Sequence, residues 1–466
     1  MIIANLLNCG PYPNSYKMLL LLSGFAILIS ALGIAIFKVP FLIVIFSLVI
    51  FGLGIFHTPF LFCFFIFICP FVIHWFHSAI GKFEEFFVLL IIITWVFRIF
   101  LRGKAYSEIS KFLILFPVAV LVISLASALH NGLSYGDIRT CAMLGMFYIF
   151  VYSIYDIYKI RDTTLIWLFA TLPVVVGSLM QLNMILSAGN IFSMIYILRF
   201  KPSAFSQNTN VFSAEIITIL PFWISLGLWS TRNKIRYLSV VFSIILFLGL
   251  AVSNARSALL GFAICIIVFF IKAKKLKYFL SFLFIVILII FLVPAFGRLI
   301  FVIFRFDYGT SFRNEVWKFS LDMFRHNPLL GIGFDNFKGT IYKYLYNPEL
   351  RQNVQMLFHA HNFILNTMVA FGIPGLIIAF GFYIKSILIG IKAIRPSSNR
   401  ELDTMAFGIF AGMIAHLGWT IFESGWIISV DWPYPIVLFW MAIIMLIKIS
   451  KLKGKQTYAT LNELNM

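Results

Sequence analysis

Apolar runs of about twenty residues recur along almost the whole of this chain, separated by short clusters of lysine, arginine, glycine and proline. A run of that length crosses the roughly 30 Å hydrocarbon core of a bilayer as a helix. Backbone inside that core must satisfy its own hydrogen bonds, which leaves helices or a closed barrel. The runs are continuous and do not alternate every second residue, so a barrel is excluded. The expected fold is an all-α polytopic membrane protein. Composition agrees: 62% of the residues are hydrophobic and 11% charged, against roughly 45–50% and 25% in soluble domains. A soluble enzyme, a secreted disulfide scaffold and a single-anchor protein are all excluded.

Candidate spans fall near 18–37, 39–56, 58–76, 86–101, 112–129, 140–157, 164–187, 209–229, 237–253, 257–271, 278–297, 361–384, 405–422 and 433–449. The first three are divided only by Lys38 and by the turn His57-Thr58-Pro59, so the total is about 12 to 14. No basic leader or small-residue cleavage site precedes the first run, which is therefore expected to be a retained span. Cys9, Cys63, Cys69, Cys141 and Cys265 show neither C-x-x-C nor metal-ligand spacing, so no disulfide framework or zinc site is expected.

The net charge of +19 is explained by placement. Six connections hold 21 of the 36 basic residues: Arg98 to Lys111, Lys159/Arg161, Arg232/Lys234/Arg236, Lys272 to Lys277, Lys385 to Arg400, and Lys448 to Lys455. They occur at every second connection, the pattern by which the cytoplasmic side retains cations. Both termini are then cytoplasmic, anionic lipid headgroups are the expected partner of the surplus charge, and nucleic-acid binding is not expected. The resulting plan is membrane helices in residues 1–297, a large opposite-side loop in 298–360, further helices in 361–449 and a tail in 450–466.

The loop carries the candidate chemistry. Ser311 is placed to cap a helix through Arg313, Val316, Trp317, Ser320 and Met323, and His326-Asn327-Pro328 ends it. Gly331 and Gly333 make a turn before an aromatic segment, so an amphipathic helix pair on the membrane surface is expected. At the mouth of the next span stands Phe358-His359-Ala360-His361-Asn362. A histidine there is either a general base, titrating near neutral pH, or a cap in the headgroup region. The string lacks an acidic or cysteine ligand at metal spacing, so no metal is expected. Arg313 is either solvated or anion-binding. Arg256, in the turn Ser253-Asn254-Ala255-Arg256-Ser257, is an opposite-side cation that topology does not need. Two such guanidiniums suit a diphosphate; Arg199 with Lys201 forms a weaker third basic pair. Glu215 and His416 lie inside spans, where ionisable groups are costly; His416 reads as a packing residue. A P-loop, a G-x-S-x-G elbow and an outward D-x-D pair are absent from the sequence.

Three stretches carry a family resemblance. Arg313-Asn-Glu-Val-Trp317, followed by Asn327-Pro328-Leu-Leu-Gly331-Ile-Gly333-Phe334-Asp-Asn336-Phe337, is similar to an R-x-x-x-W and N-P-x-x-G-x-G-x-x-x-F pattern. His361-Asn362, nine residues and Gly372-Ile373-Pro374-Gly375 resemble an H-N-x9-G-x-x-G motif. Ser253 to Ser257 resembles a short S-R turn, with two residues between Ser253 and Arg256. Together, over about residues 253–375, they resemble the O-antigen ligase and polymerase superfamily of bacterial envelope glycosyltransferases, closest to the ligases. The resemblance implies a GT-C-like membrane fold in the bacterial inner membrane with a periplasmic active site. It implies inverting transfer needing no metal or other cofactor, from an undecaprenyl-diphosphate-linked glycan to a sugar hydroxyl of lipid A core. A polymerase would use a second lipid-linked glycan as acceptor, and a transporter of the lipid-linked glycan, without bond chemistry, is the reading from another class. By the same resemblance His361 would be the base, with His359 orienting or tuning it. Arg313, Arg256 and Arg199 would bind diphosphate, while Trp317, Asn362, Gly372 and Gly375 would contact substrate or support the site.

Overall fold

A computed structural model describes residues 111–132, 160–187, 208–275 except 254, 313–333, 336–344, 359–423 and 433–464, with single positions at 144–151 and 277–281. Among these the secondary structure is entirely helical: α1 Lys111–Asn131, α2 Ile160–Ser187, α3 Thr209–Trp229, α4 Asn233–Ser253, α5 Arg256–Lys272, α6 Arg313–His326, α7 Phe337–Tyr344, α8 Phe363–Ala393, α9 Arg400–Thr420 and α10 Pro433–Leu464. Seven of them (α1, α2, α3, α4, α8, α9 and α10) are long and apolar enough to cross a membrane, and the chain is a multi-pass membrane protein. The expected spans before residue 111, most of 140–157 and the one at 278–297 lie outside the described residues, as do Ser311 and Arg199.

The buried centre is α9, packed between α3 and α5 through small residues. Gly408 and Gly412, one turn apart, face α3 so closely that a Cβ on Gly412 would stand 2.2 Å from the Thr218 carbonyl oxygen. On the α5 side, Gly261 and Gly418 meet, and a Cβ on Gly261 would stand 2.3 Å from the Ala415 carbonyl oxygen. Membrane helices gain little from water exclusion, so close backbone approach and interhelical hydrogen bonds hold them together. Here those bonds are Ser225 Oγ to the Thr404 carbonyl, 2.7 Å, and Thr218 Oγ1 with His416 Nδ1, 2.9 Å. The second bond gives His416 the packing role its position suggested. Glu215 is buried in the second turn of α3.

At one end of the bundle Lys453 ties three segments together, donating to the carbonyls of Ala393 and Arg395 and pairing with Asp403 at 2.6 Å. The helix bearing it continues to Leu464, through residues 450–464 that were expected to be a tail. Their lysines, glutamine, alanine and leucines are good helix formers with no glycine or proline after Gly454.

α8 contains a sharp reversal. Gly372 takes φ 66°, ψ −157°, a combination open essentially to glycine alone. The rings of Phe363 and Tyr383 are 5.1 Å apart, although twenty residues of straight helix would separate them by about 30 Å. The two halves, 363–371 and 373–393, therefore form a V. Such a break frees backbone groups that must find partners inside a membrane protein, and the loop supplies them. Pro374 has no N–H for the Ala370 carbonyl, which instead accepts from Gly333 N at 3.1 Å. Ile373 N is diverted to the Pro328 carbonyl at 2.9 Å, and Ile332 N replaces it at the Val369 carbonyl at 2.8 Å. Gly331 (φ 65°) fits because a Cβ would stand 2.4 Å from the Ala370 carbonyl carbon. Asn131 of α1 clamps the same turn, donating to the Gly331 carbonyl at 3.2 Å.

Candidate active site

The loop helix α6 ends at His326, where the sequence pattern placed its stop. Its inner face, Val316, Ser320 and Met323, is buried, and the two apolar residues pack with Ile332, Phe337, Ile341, Ala360 and Val369 in a small core separate from that of the bundle. This core fixes the string His359-Ala360-His361. Ala360 is fully buried; its N–H donates to Asn366 Oδ1 at 2.6 Å and its carbonyl accepts from Trp317 Nε1 at 2.9 Å. Asn362 caps α8, accepting from Ile364 N and Leu365 N, and its amide donates to the Ile421 carbonyl at 3.1 Å.

Between these anchored neighbours His361 adopts φ 49°, the left-handed region that a side chain occupies at a cost of roughly 1–3 kcal/mol. The strain is held by the bonds on either side, and it aims the imidazole at Glu423. Glu423 was not anticipated from the sequence. It sits just past α9, buried at 5% exposure, and gathers donors from four separate segments. Oε1 accepts from Asn210 Nδ2 at the start of α3, 2.8 Å, from Arg313 Nη2 at the start of α6, 3.2 Å, and from Ser257 Oγ at the start of α5, 3.5 Å. Oε2 lies 3.2 Å from His361 Nδ1. Arg313 completes a forked grip with Nη1 to the Phe422 carbonyl, 3.0 Å.

With three donors already on Glu423, the carboxylate accepts the Nδ1 proton of His361, which leaves Nε2 as the lone-pair nitrogen. Among the described residues no protein group hydrogen-bonds Nε2. His359 packs edge-on against it, ring centroids 4.4 Å apart. Burial, then the positive charges available on His361 and Arg313, hold His359 down to about 3, so it stays neutral and is a poor proton acceptor near neutral pH. Among the described residues Arg313 uses two of its five N–H donors, and 27% of its side chain is exposed.

His361, His359, Arg313, Trp317 and Asn362 thus converge. Arg256 opens α5 one residue before Ser257, which places its backbone at the rim of this cluster. Gly372 and Gly375 stand at the turn of the V, where a Cβ on Gly375 would meet that of Phe371 at 2.3 Å; their geometry serves backbone packing. Among the described residues no three His, Cys, Asp or Glu side chains gather as metal ligands.

Residues 241–380 match the Wzy_C family model, described as O-antigen ligase. This stretch is an O-antigen ligase family domain. It contains α5, both loop helices, the histidine string and the reversal in α8. No curated protein matches the chain. Glu423 and Asn210 lie outside the matched stretch, and the contacts from Arg313, Ser257 and His361 bring them onto the domain. A sequence signal for Glu423 did exist: it is one of only two carboxylates, with Asp431, in the connection between the spans expected at 405–422 and 433–449, on the side assigned to His361.

Proposed function

We propose that this protein is an O-antigen ligase that transfers a glycan from undecaprenyl diphosphate to a sugar hydroxyl of lipid A core at the periplasmic face of the bacterial inner membrane. The observation carrying this reading is the Glu423–His361 bond, which orients an imidazole whose Nε2 is unengaged among the described residues, beside an arginine that is part exposed. His361 Nε2 takes the proton of the acceptor hydroxyl as that oxygen attacks the anomeric carbon. The bond from that carbon to the diphosphate oxygen breaks on the opposite face, inverting the centre. Arg313 and Arg256 stabilise the charge that collects on the departing diphosphate, without a metal ion. Glu423 holds the tautomer and offsets the imidazolium that forms, the arrangement used by acid–histidine pairs in other transferases and hydrolases. His359 keeps the ring packed, and Trp317 acts through the Ala360 carbonyl.

The test is a reconstituted transfer assay supplying either lipid A core or a second lipid-linked glycan as acceptor, with and without EDTA. Product on lipid A core that survives EDTA is expected. Longer glycans still on undecaprenyl diphosphate would make the enzyme a polymerase, a metal requirement would remove the proposed role of the arginines, and no transfer to either acceptor would return the transporter reading.

A further inference from the structure

Levels within the membrane can be read from contacts. Glu423 ties the starts of α3 and α5 to the end of α9 at one level, and Lys453 ties Ala393 to Asp403 near the other. α3 and α9 have 21 residues each, about 31 Å of helix and close to the hydrocarbon thickness. The second limb of α8, Ile373–Ala393, has the same length, so Ile373 stands near the membrane boundary at the site end. α6 joins this site to the apex of the V in α8. Arg313 holds Phe422 and Glu423 at one end, and the turn after His326 bonds Ile373 at the other.

At the far end of α6 the turn presents Leu329, 70% exposed, with its backbone against Gly372. Directly below run Ile373, Ile377, Phe380, Ile384 and Leu388, all exposed on the second limb of α8. An exposed apolar stripe on a membrane-crossing helix faces acyl chains, and Leu329 continues that stripe to its upper edge. Lys318 and Arg325 are exposed along α6, two cations that suit anionic lipid headgroups. We propose that the Pro328–Leu330 turn is a lipid-docking wedge. Leu329 inserts among phospholipid acyl chains at the headgroup boundary, and the bilayer thereby holds one end of the helix whose other end carries Arg313. A depth of about 5–10 Å is usual for such interfacial segments.

The direct experiment places the photoreactive residue benzoylphenylalanine at position 329 of the full chain in phosphatidylethanolamine/phosphatidylglycerol liposomes, with and without undecaprenyl phosphate, and weighs the adducts. A phospholipid adduct comparable in yield to that from position 377 on the lipid-facing stripe is expected in both liposomes. An adduct only with undecaprenyl phosphate, only with a second protein chain, or with neither would overturn the proposal. A second arm rests on the ligase reading: Leu329→Glu should lower transfer at least fivefold while Leu329→Phe stays within twofold. Equal activity of the two variants would refute the coupling to Arg313 whatever the adducts show, whereas inactivity of the parent protein would count against the ligase reading alone.

Discussion

Replacing Glu423 by glutamine tests the site through a single proton. The side chain keeps its shape but can present only one oxygen. Oε1 faces donors from Asn210, Arg313 and Ser257 at 2.8, 3.2 and 3.5 Å, and among the described residues Oε2 faces only His361. The amide oxygen must therefore occupy the Oε1 position, because the reverse would set an NH2 against an arginine and an asparagine NH2. The amide NH2 then points at His361 Nδ1, which must accept, and the ring proton moves to Nε2. A histidine protonated at Nε2 cannot take the acceptor proton. General-base assistance contributes roughly 10²–10⁴-fold, so Glu423→Gln should lower kcat by about that factor, some 3–5 kcal/mol of barrier. Three of the four contacts survive, so the melting temperature in detergent and the KM for the lipid-linked donor should change little. Steady-state transfer by purified protein measures both. A kcat within about threefold of the parent would refute the tautomer argument.

Other consequences follow from the same geometry. Folded His359 is held at about 3, against 6.5 for the free side chain. The unfolded chain therefore binds a proton through that window that the folded chain does not, and stability, complete above pH 6.5, should fall as pH drops through it. His359→Gln should flatten that slope in thermal melts, and an unchanged slope would contradict the assignment. Gly372→Ala forces a side chain into the glycine-only conformation and against the Pro328 carbonyl oxygen at 2.4 Å; a loss of at least about 2 kcal/mol is expected. Gly381→Ala on the same helix meets nothing within 4 Å and should stabilise by about 0.5–1 kcal/mol, so similar melting temperatures for the two variants would count against the reversal in α8. Trp317→Phe removes the partner of the Ala360 carbonyl, for a cost of about 1–3 kcal/mol. It should reduce kcat while leaving donor KM near the parent value, whereas a selective rise in KM would mean that the indole contacts sugar.

The membrane helices among the described residues were legible because their signal is local: each run carries its own length and its own flanking charges. The stop of α6 at His326 and the turn at Gly331 and Gly333 were legible for the same reason. The V of α8 was not. Gly372 and Pro374 mark an interruption in sequence, but the angle comes from the loop backbone of Pro328, Ile332 and Gly333 taking over the freed groups, a pairing between segments some forty residues apart. Glu423 was missed because its meaning is tertiary. Standing alone after a span it resembles any interfacial acid, and only the approach of Asn210, Ser257, Arg313 and His361 makes it the centre of the site. Helix α10 runs on to Leu464, beyond the span expected at 433–449, because helical propensity does not stop where the apolar run does.

The central claim is that His361 supplies the base, and the most direct measurement compares the parent protein with His361→Ala in liposomes containing undecaprenyl-diphosphate-linked glycan and lipid A core, following both transfer and donor binding. The account expects transfer to fall by about 10²-fold or more with donor affinity close to the parent value. Transfer by His361→Ala at a rate near that of the parent would contradict it.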